Sequence, residues 1–196
     1  CVVMSILSPA FLTVANLLNV VTQMASIGLL ALGVTIIIIT RGIDLSSGSV
    51  LAVAAVVSAS MAQTLDWGMR MYPSMPELPV IVPIIAALAV GALCGFINGA
   101  LIAFTGVPTF IATLGMLFAL RGLAFVLSDE QPVRLSNIDA GIAFGAPLIG
   151  PITPRILLFI AAFVALQIFL TRMKAGQEFY AVGGNRQAAV DAGIPV

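Results

Sequence analysis

Histidine is absent from all 196 residues, and with it the commonest general base and the commonest metal ligand. Charge is nearly as scarce. Only 8% of the residues are charged, where soluble domains carry about 25%. Eight basic and eight acidic side chains cancel to a formal net charge of zero, with a pI of about 6.3, so there is no basic surface for nucleic acid or another polyanion. Cysteine is limited to Cys1 and Cys94, far apart, the second inside an apolar run. That placement reads as a small hydrophobe packed among helices and not as half of a redox or metal pair. With no paired aspartates inside the apolar runs and no defensible serine–base pair, no catalytic residue, metal or cofactor is expected.

What is abundant is apolar sequence: 61% of residues are hydrophobic and the mean hydropathy is +1.18. Runs near 20 residues match the ~30 Å hydrocarbon core of a bilayer at ~1.5 Å rise per helical residue. The expected class is all-α, a polytopic transmembrane helical bundle of about five full spans plus the remnant of a first. Runs such as IIIIT and VIVPIIAALAV do not alternate as barrel strands would. Spans are expected at about Asn16–Thr40, Ser46–Thr64, Val80–Phe104, Val107–Leu127 and Arg155–Thr171. CVVMSIL, ahead of Ser8-Pro9, is too short to cross and reads as the tail of a first span, not as a signal peptide. Residues 1–196 are read as part of one transmembrane domain truncated at both ends, with 172–196 a cytoplasmic loop.

Between spans, Gln63–Pro79 carries three prolines, Asp66, Glu77 and an interfacial Trp67, and Ser128–Pro154 holds Asp129, Glu130, Arg134 and Asp139. The links at Arg41–Leu45 and Thr105–Gly106 are short. Placing the amino terminus inside puts Arg41, Arg172, Lys174 and Arg186 in the cytoplasm, against Arg70, Arg134 and Arg155 outside. Arg172 and Lys174 flank the last span, where the positive-inside bias counts most.

In the fourth span Ala87, Gly91, Gly95, Gly99 and Ala103 recur every four residues. Such a stripe lets backbones approach closely in lipid and suggests a packed central helix; the plainer account is that glycine is common in membrane helices. Asp44 or Ser46 is placed to cap the third span, and Asp44 alternatively to line a polar cavity or a partner interface, with Arg41 near enough in sequence to clamp it. Arg121 is the one charge clearly inside a span. It reads either as a pathway residue or as an anchor that snorkels ~9 Å outward toward Asp129 or Glu130. Thr109 and Thr113 share a face just after Pro108 and belong either to helix-start chemistry or to a polar strip. Together Asp44, Arg41, Asn98, Thr109, Thr113 and Arg121 are the pathway or gating candidates. After the last span, Asn185 as N-cap and Gly193 as C-terminal stop predict a short helix over 186–192, too polar for lipid. It is either an ordinary interfacial helix or an adaptor that seats in a partner's groove. It is no phosphate-binding loop, because the Gly-Lys-Ser/Thr ending is missing.

Three segments now combine: GIDLSSGSVLAVAAVVSA (42–59), GVPTFIATLGMLFALRGLAFVLSDEQPV (106–133) and FYAVGGNRQAAVDAGI (179–194). In order and spacing they resemble the monosaccharide branch of bacterial binding-protein-dependent ABC transporter permeases, the ribose/xylose/arabinose/galactose type. The likeness runs over nearly the whole chain. It departs at Arg41, where the family usually has glycine, and at Ser47, where it has a valine-like residue. The resemblance implies a homodimeric inner-membrane permease with a separate ABC ATPase subunit below and a periplasmic sugar-binding protein above. It also implies that 183–194 is the coupling helix, with Gly183, Gly184, Asn185, Arg186, Ala188, Ala189 and Gly193 meeting the ATPase, and that this chain is somewhat under two-thirds of a subunit. Rival readings are a branched-chain amino acid permease, an ion-coupled carrier, which would need more mid-membrane titratable groups than Arg121, an intramembrane enzyme, and a purely structural membrane protein.

Overall fold

A computed structural model describes residues 2–136, 146–148 and 152–195. Cys1 and Asp139 lie outside the described residues. Among the described residues there are eight helices: α1 (Val2–Leu7), α2 (Val14–Ile39), α3 (Ser47–Met61), α4 (Ile81–Thr105), α5 (Thr109–Ser128), α6 (Pro154–Arg172), α7 (Lys174–Gly184) and α8 (Arg186–Asp191). The all-α expectation holds. Helix is what a lipid-embedded segment needs, since each N–H then finds its acceptor inside the segment.

Four helices, α2, α4, α5 and α6, are 26, 25, 20 and 19 residues long and apolar enough to cross a membrane. The third expected span is shorter than the sequence suggested, ending at Met61 and not at Thr64, with 15 residues. That is ~22 Å of rise, short of the ~30 Å hydrocarbon core. Its continuation is diverted into side-chain bonding: Gln63 donates from Nε2 to the Arg134 carbonyl at 3.1 Å, and the Thr64 N–H is taken by Ser136 Oγ at 2.8 Å.

The chain divides into two compact units, one drawn from Cys1–Arg41 with Ala143–Val196 and the other from Gly42–Ile142. In the second, α3 lies between α4 and α5 and packs on both. Within this unit the helix that lies between the other two is therefore α3 and not the glycine-striped α4. The sequence SGSVLAVAAVVSASM explains it, because small side chains on every face admit a neighbour on each side. Val53, Cys94 and Leu120 form the buried contact among the three helices, with Val50, Val57, Val90 and Met116 around it. Cys94 thus serves as a core hydrophobe.

The stripe on α4 turns away from this core. The buried face of α4 is Pro83, Cys94 and Asn98, and a Cβ added at Gly91, Gly95 or Gly99 would meet nothing within 4 Å. At the end of this unit where α3 and α5 finish, a cavity of about 640 Å³ opens among Gln63, Trp67, Arg70, Ser128 and Arg134. Gln63 braces its wall, accepting from the Met71 N–H at 2.8 Å. Nearby Asp66 is fully exposed, and a hydrogen bond from Thr64, helped by its own backbone, holds its carboxyl below the ordinary value.

In the first unit α2 pairs with α6, and α7 and α8 follow α6. The pair closes where a glycine faces a ring: a Cβ at Gly28 would sit 2.5 Å from Phe159 Cε2. Thr13 starts α2, its hydroxyl accepting from the Asn16 N–H at 3.4 Å while donating to the Ala10 carbonyl at 2.8 Å.

Candidate functional site

Two groups of predicted residues are assembled, one in each unit. In the first unit the expected short helix is present as α8. Asn185 Oδ1 accepts from the Ala188 N–H at 3.1 Å, which is the N-cap bond the sequence called for. At the other end Gly193 has φ +77, the left-handed region open to glycine. The Gly193 N–H reaches the Val190 carbonyl and the Ile194 N–H the Ala189 carbonyl, both at 2.9 Å, which together form a Schellman stop. Inside the helix Gln187 Nε2 donates to Asp191 Oδ1 at 3.0 Å. Capped at both ends, a helix of only 6 residues holds its shape where an uncapped one would fray.

The sequence reading did not anticipate α7, the 11-residue helix that carries α8. Its signals were present: Lys174 and Glu178 form an i,i+4 ion pair at 3.7 Å, and Gly176, Phe179 and Gly183 fall on one face. That face is what packs. Gly176 and Gly183 are both buried. A Cβ on Gly176 would collide with the Phe169 carbonyl oxygen and lie 2.6 Å from Leu170 Cα; one on Gly183 would collide with the Ile39 carbonyl oxygen. Phe179 meets Phe169 with ring centroids 5.9 Å apart. So α7 rests backbone against backbone on the C-terminal ends of α6 and α2. Of the candidate coupling residues, Gly183 and Ala189 face inward, while Gly184, Asn185, Arg186, Ala188 and Gly193 are exposed.

Arg41 belongs to this group. Its Nη2 donates to the Gly184 carbonyl at 2.8 Å, on the last residue of α7. Its backbone has φ +62, a left-handed conformation that costs a non-glycine residue on the order of 1 kcal/mol. Arg41 and Asp44 each find a partner within their own unit.

In the second unit Asp44 and Asn98 converge through a residue first considered only as a cap, Ser46, while Thr109 and Thr113 bond to the neighbouring Ile43 backbone. Ser46 is the most deeply buried side chain described, at 1% exposure. Ser46 Oγ donates to Asp44 Oδ1 at 2.6 Å and accepts from Asn98 Nδ2 at 2.9 Å; the Ser46 N–H also reaches Asp44 Oδ1, at 2.7 Å. The cap on α3 is therefore the Asp44 carboxylate. Thr113 Oγ1 contacts the Ile43 carbonyl at 3.1 Å and Thr109 Oγ1 accepts from the Ile43 N–H at 3.2 Å, so both threonines strap the entry to α3 onto α5. Asn98 Oδ1 is buried and makes no hydrogen bond among the described residues. Arg121 does not join this cluster. It is exposed on α5 and forms no ion pair with Asp129 or Glu130. No group of His, Cys, Asp and Glu able to hold a metal occurs among the described residues.

Sequence similarity to known proteins covers nearly the whole chain. Galactose/methyl galactoside import permease protein MglC of Haemophilus influenzae is 34% identical over 194 residues, covering 96% of this chain and 58% of that protein. Ribose import permease protein RbsC of Escherichia coli K12 is 36% identical over 199 residues, covering 99% and 58%. RbsC of Bacillus subtilis is 35% identical over 196 residues, covering 100% and 57%. The chain thus spans a little under three fifths of the length of these relatives. No solved structure matches. The profile described as "Branched-chain amino acid transport system / permease component" matches residues 16–196, from the first turn of α2 through the capped α8. This chain is a membrane-spanning member of that permease family.

Proposed function

We propose that the chain is the larger part of a permease subunit of an ATP-driven importer that carries a monosaccharide across a bacterial inner membrane. The family's description names amino acids, but relatives at 33–36% identity over nearly the whole chain are named as galactose and ribose permeases, which favours a sugar. The partners that follow are a separate ATPase subunit, a periplasmic sugar-binding protein and a second permease copy. The chain itself does no covalent chemistry.

The observation that carries the reading is α8, a doubly capped helix with Arg186, Gln187, Ala188 and Val190 exposed. Its shape suits a groove on a partner. With α7 and α8 cytoplasmic, Arg172 in the last turn of α6 and Lys174 just beyond it stand where inside-facing basic residues belong. Work is transmitted if the ATPase binds the inward-open and outward-open permease with different affinity, each ATP state favouring one conformer.

The test replaces Gly184 or Ala188 by glutamate in the whole permease. Both are exposed, and a side chain at Gly184 meets no neighbour in this chain. Membrane insertion should persist while sugar uptake falls on the order of 100-fold, the upper range of a coupling free energy between sites. Uptake at the unsubstituted level would remove α8 from the coupling path.

A further inference from the structure

Two helices of the first unit end side by side. The last carbonyl groups of α2 and of α7 lie at one place, since Gly183 of α7 has no room for a Cβ beside the Ile39 carbonyl, and Thr40 Cα would be 3.4 Å from it. Helix C-termini carry unpaired carbonyls and a partial negative charge, so two of them in contact repel. Arg41 occupies this junction. Its N–H is bonded to the Ile38 carbonyl of α2 at 2.9 Å, and its guanidinium reaches the Gly184 carbonyl of α7 at 2.8 Å. One residue therefore serves both ends, its backbone bonded to α2 and its guanidinium to α7.

The backbone shows that this placement is maintained against a local preference. Arg41 sits at φ +62, where glycine would fit without strain. A glycine there would relax the turn and leave two converging carbonyl ends without a cation. The side chain's reach across to α7 is what the strained position supplies.

We propose that Arg41 is a positioning residue that tethers the α7–α8 segment to α2, so that a push on α8 is delivered to the α2–α6 pair and not lost in a hinge at Asn185 or Met173. It rests on the reading that α8 is the part an ATPase pushes. It moves Arg41 from the pathway or gating candidates to the route of force. Gly183 complements it. The close backbone approach makes the junction stiff, and the arginine prevents the two ends from separating.

The experiment uses the whole permease assembled with its ATPase in proteoliposomes, with Cys1 and Cys94 replaced and spin labels at Thr35 of α2 and Tyr180 of α7, both exposed. Pulsed electron–electron distance measurement should give one narrow distribution in the parent. Arg41→Gly should add a second, longer component, with uptake per ATP hydrolysed falling about fivefold to tenfold, within the span typical of site-to-site coupling. Arg41→Lys, which keeps the charge, should recover most of both, while Arg41→Met should behave as Arg41→Gly. Because Arg41→Gly relieves strain, loss of folding is not the expected route to failure, and the amount recovered from the membrane checks this. An unchanged distribution in Arg41→Gly overturns the tether, and a broadened distribution with unchanged uptake per ATP overturns its role in coupling. If the unsubstituted protein recruits no ATPase, the functional reading fails, and the distances still decide whether the tether exists.

Discussion

The two units hold their helices together by different means. In the Gly42–Ile142 unit, the contact is made by side chains: Val53, Cys94 and Leu120 interlock, and Ser46 gathers Asp44 and Asn98 into a buried polar knot. In the other unit, α7 is fixed by main chain on main chain, through glycines where no side chain fits, plus one charge-assisted bond from Arg41. Side-chain packing distributes its energy over many weak contacts and gives way gradually. A glycine-on-carbonyl contact has no slack. Its tolerance for substitution is near zero.

The largest expected effect strikes that contrast directly. Gly183→Leu or Gly176→Leu must displace backbone carbonyls and should destabilise the purified protein by about 3 kcal/mol or abolish its folded yield, as read by thermal unfolding in detergent. Tolerance of leucine at Gly184, whose Cβ position is open, is the internal control. If Gly183→Leu were as mild as a change at Gly184, the backbone contact would not be what holds α7.

A middle effect belongs to the other unit. Ser46→Ala leaves the Asn98 amide and one bond of Asp44 unpaired in a buried site, costing about 2 kcal/mol. A double-mutant cycle with Asn98→Ala should return a coupling of about 1 kcal/mol. Additive losses would dissolve the knot into independent contacts.

The smallest effect is expected on the glycine stripe of α4. Gly95→Ala and Gly99→Ala meet no neighbour within 4 Å in this chain, and the better helix propensity of alanine should change stability by no more than about 1 kcal/mol, in the favourable direction. A loss of several kcal/mol in the whole permease would show that another helix closes on that face and that the side-chain packing of this unit is only part of its architecture.

Much of the fold was legible beforehand because lipid imposes strong rules. The starts and ends of α2, α4, α5 and α6 fall within two residues of the apolar boundaries, since hydropathy and helix length answer to the same bilayer. The caps of α8 were equally legible, because Asn185 and Gly193 act within one turn of where they stand in sequence. Less legible was α7, whose mixed composition offers no long apolar run. Its stability comes from what it lies on. The span assigned to α3 was too long for the same kind of reason: Gln63 and Thr64 continue an apolar-looking run but are claimed by residues 134 and 136, about seventy positions away.

The amino-acid sequence alone therefore determined the solvent, the helical class, the positions of the long rods and the two caps of the small exposed helix, all of which depend on local composition or on bonds spanning a turn. The tertiary structure decided which rod lies between the others in the second unit, that the glycine stripe of α4 faces away from α3 and α5, that Ser46 is the hub of the polar cluster, and that Arg41 bonds to α7. Each of these depends on a contact between residues distant along the chain. A side chain's own chemistry says what bonds it can make, and only the meeting of separate helices says which one it does.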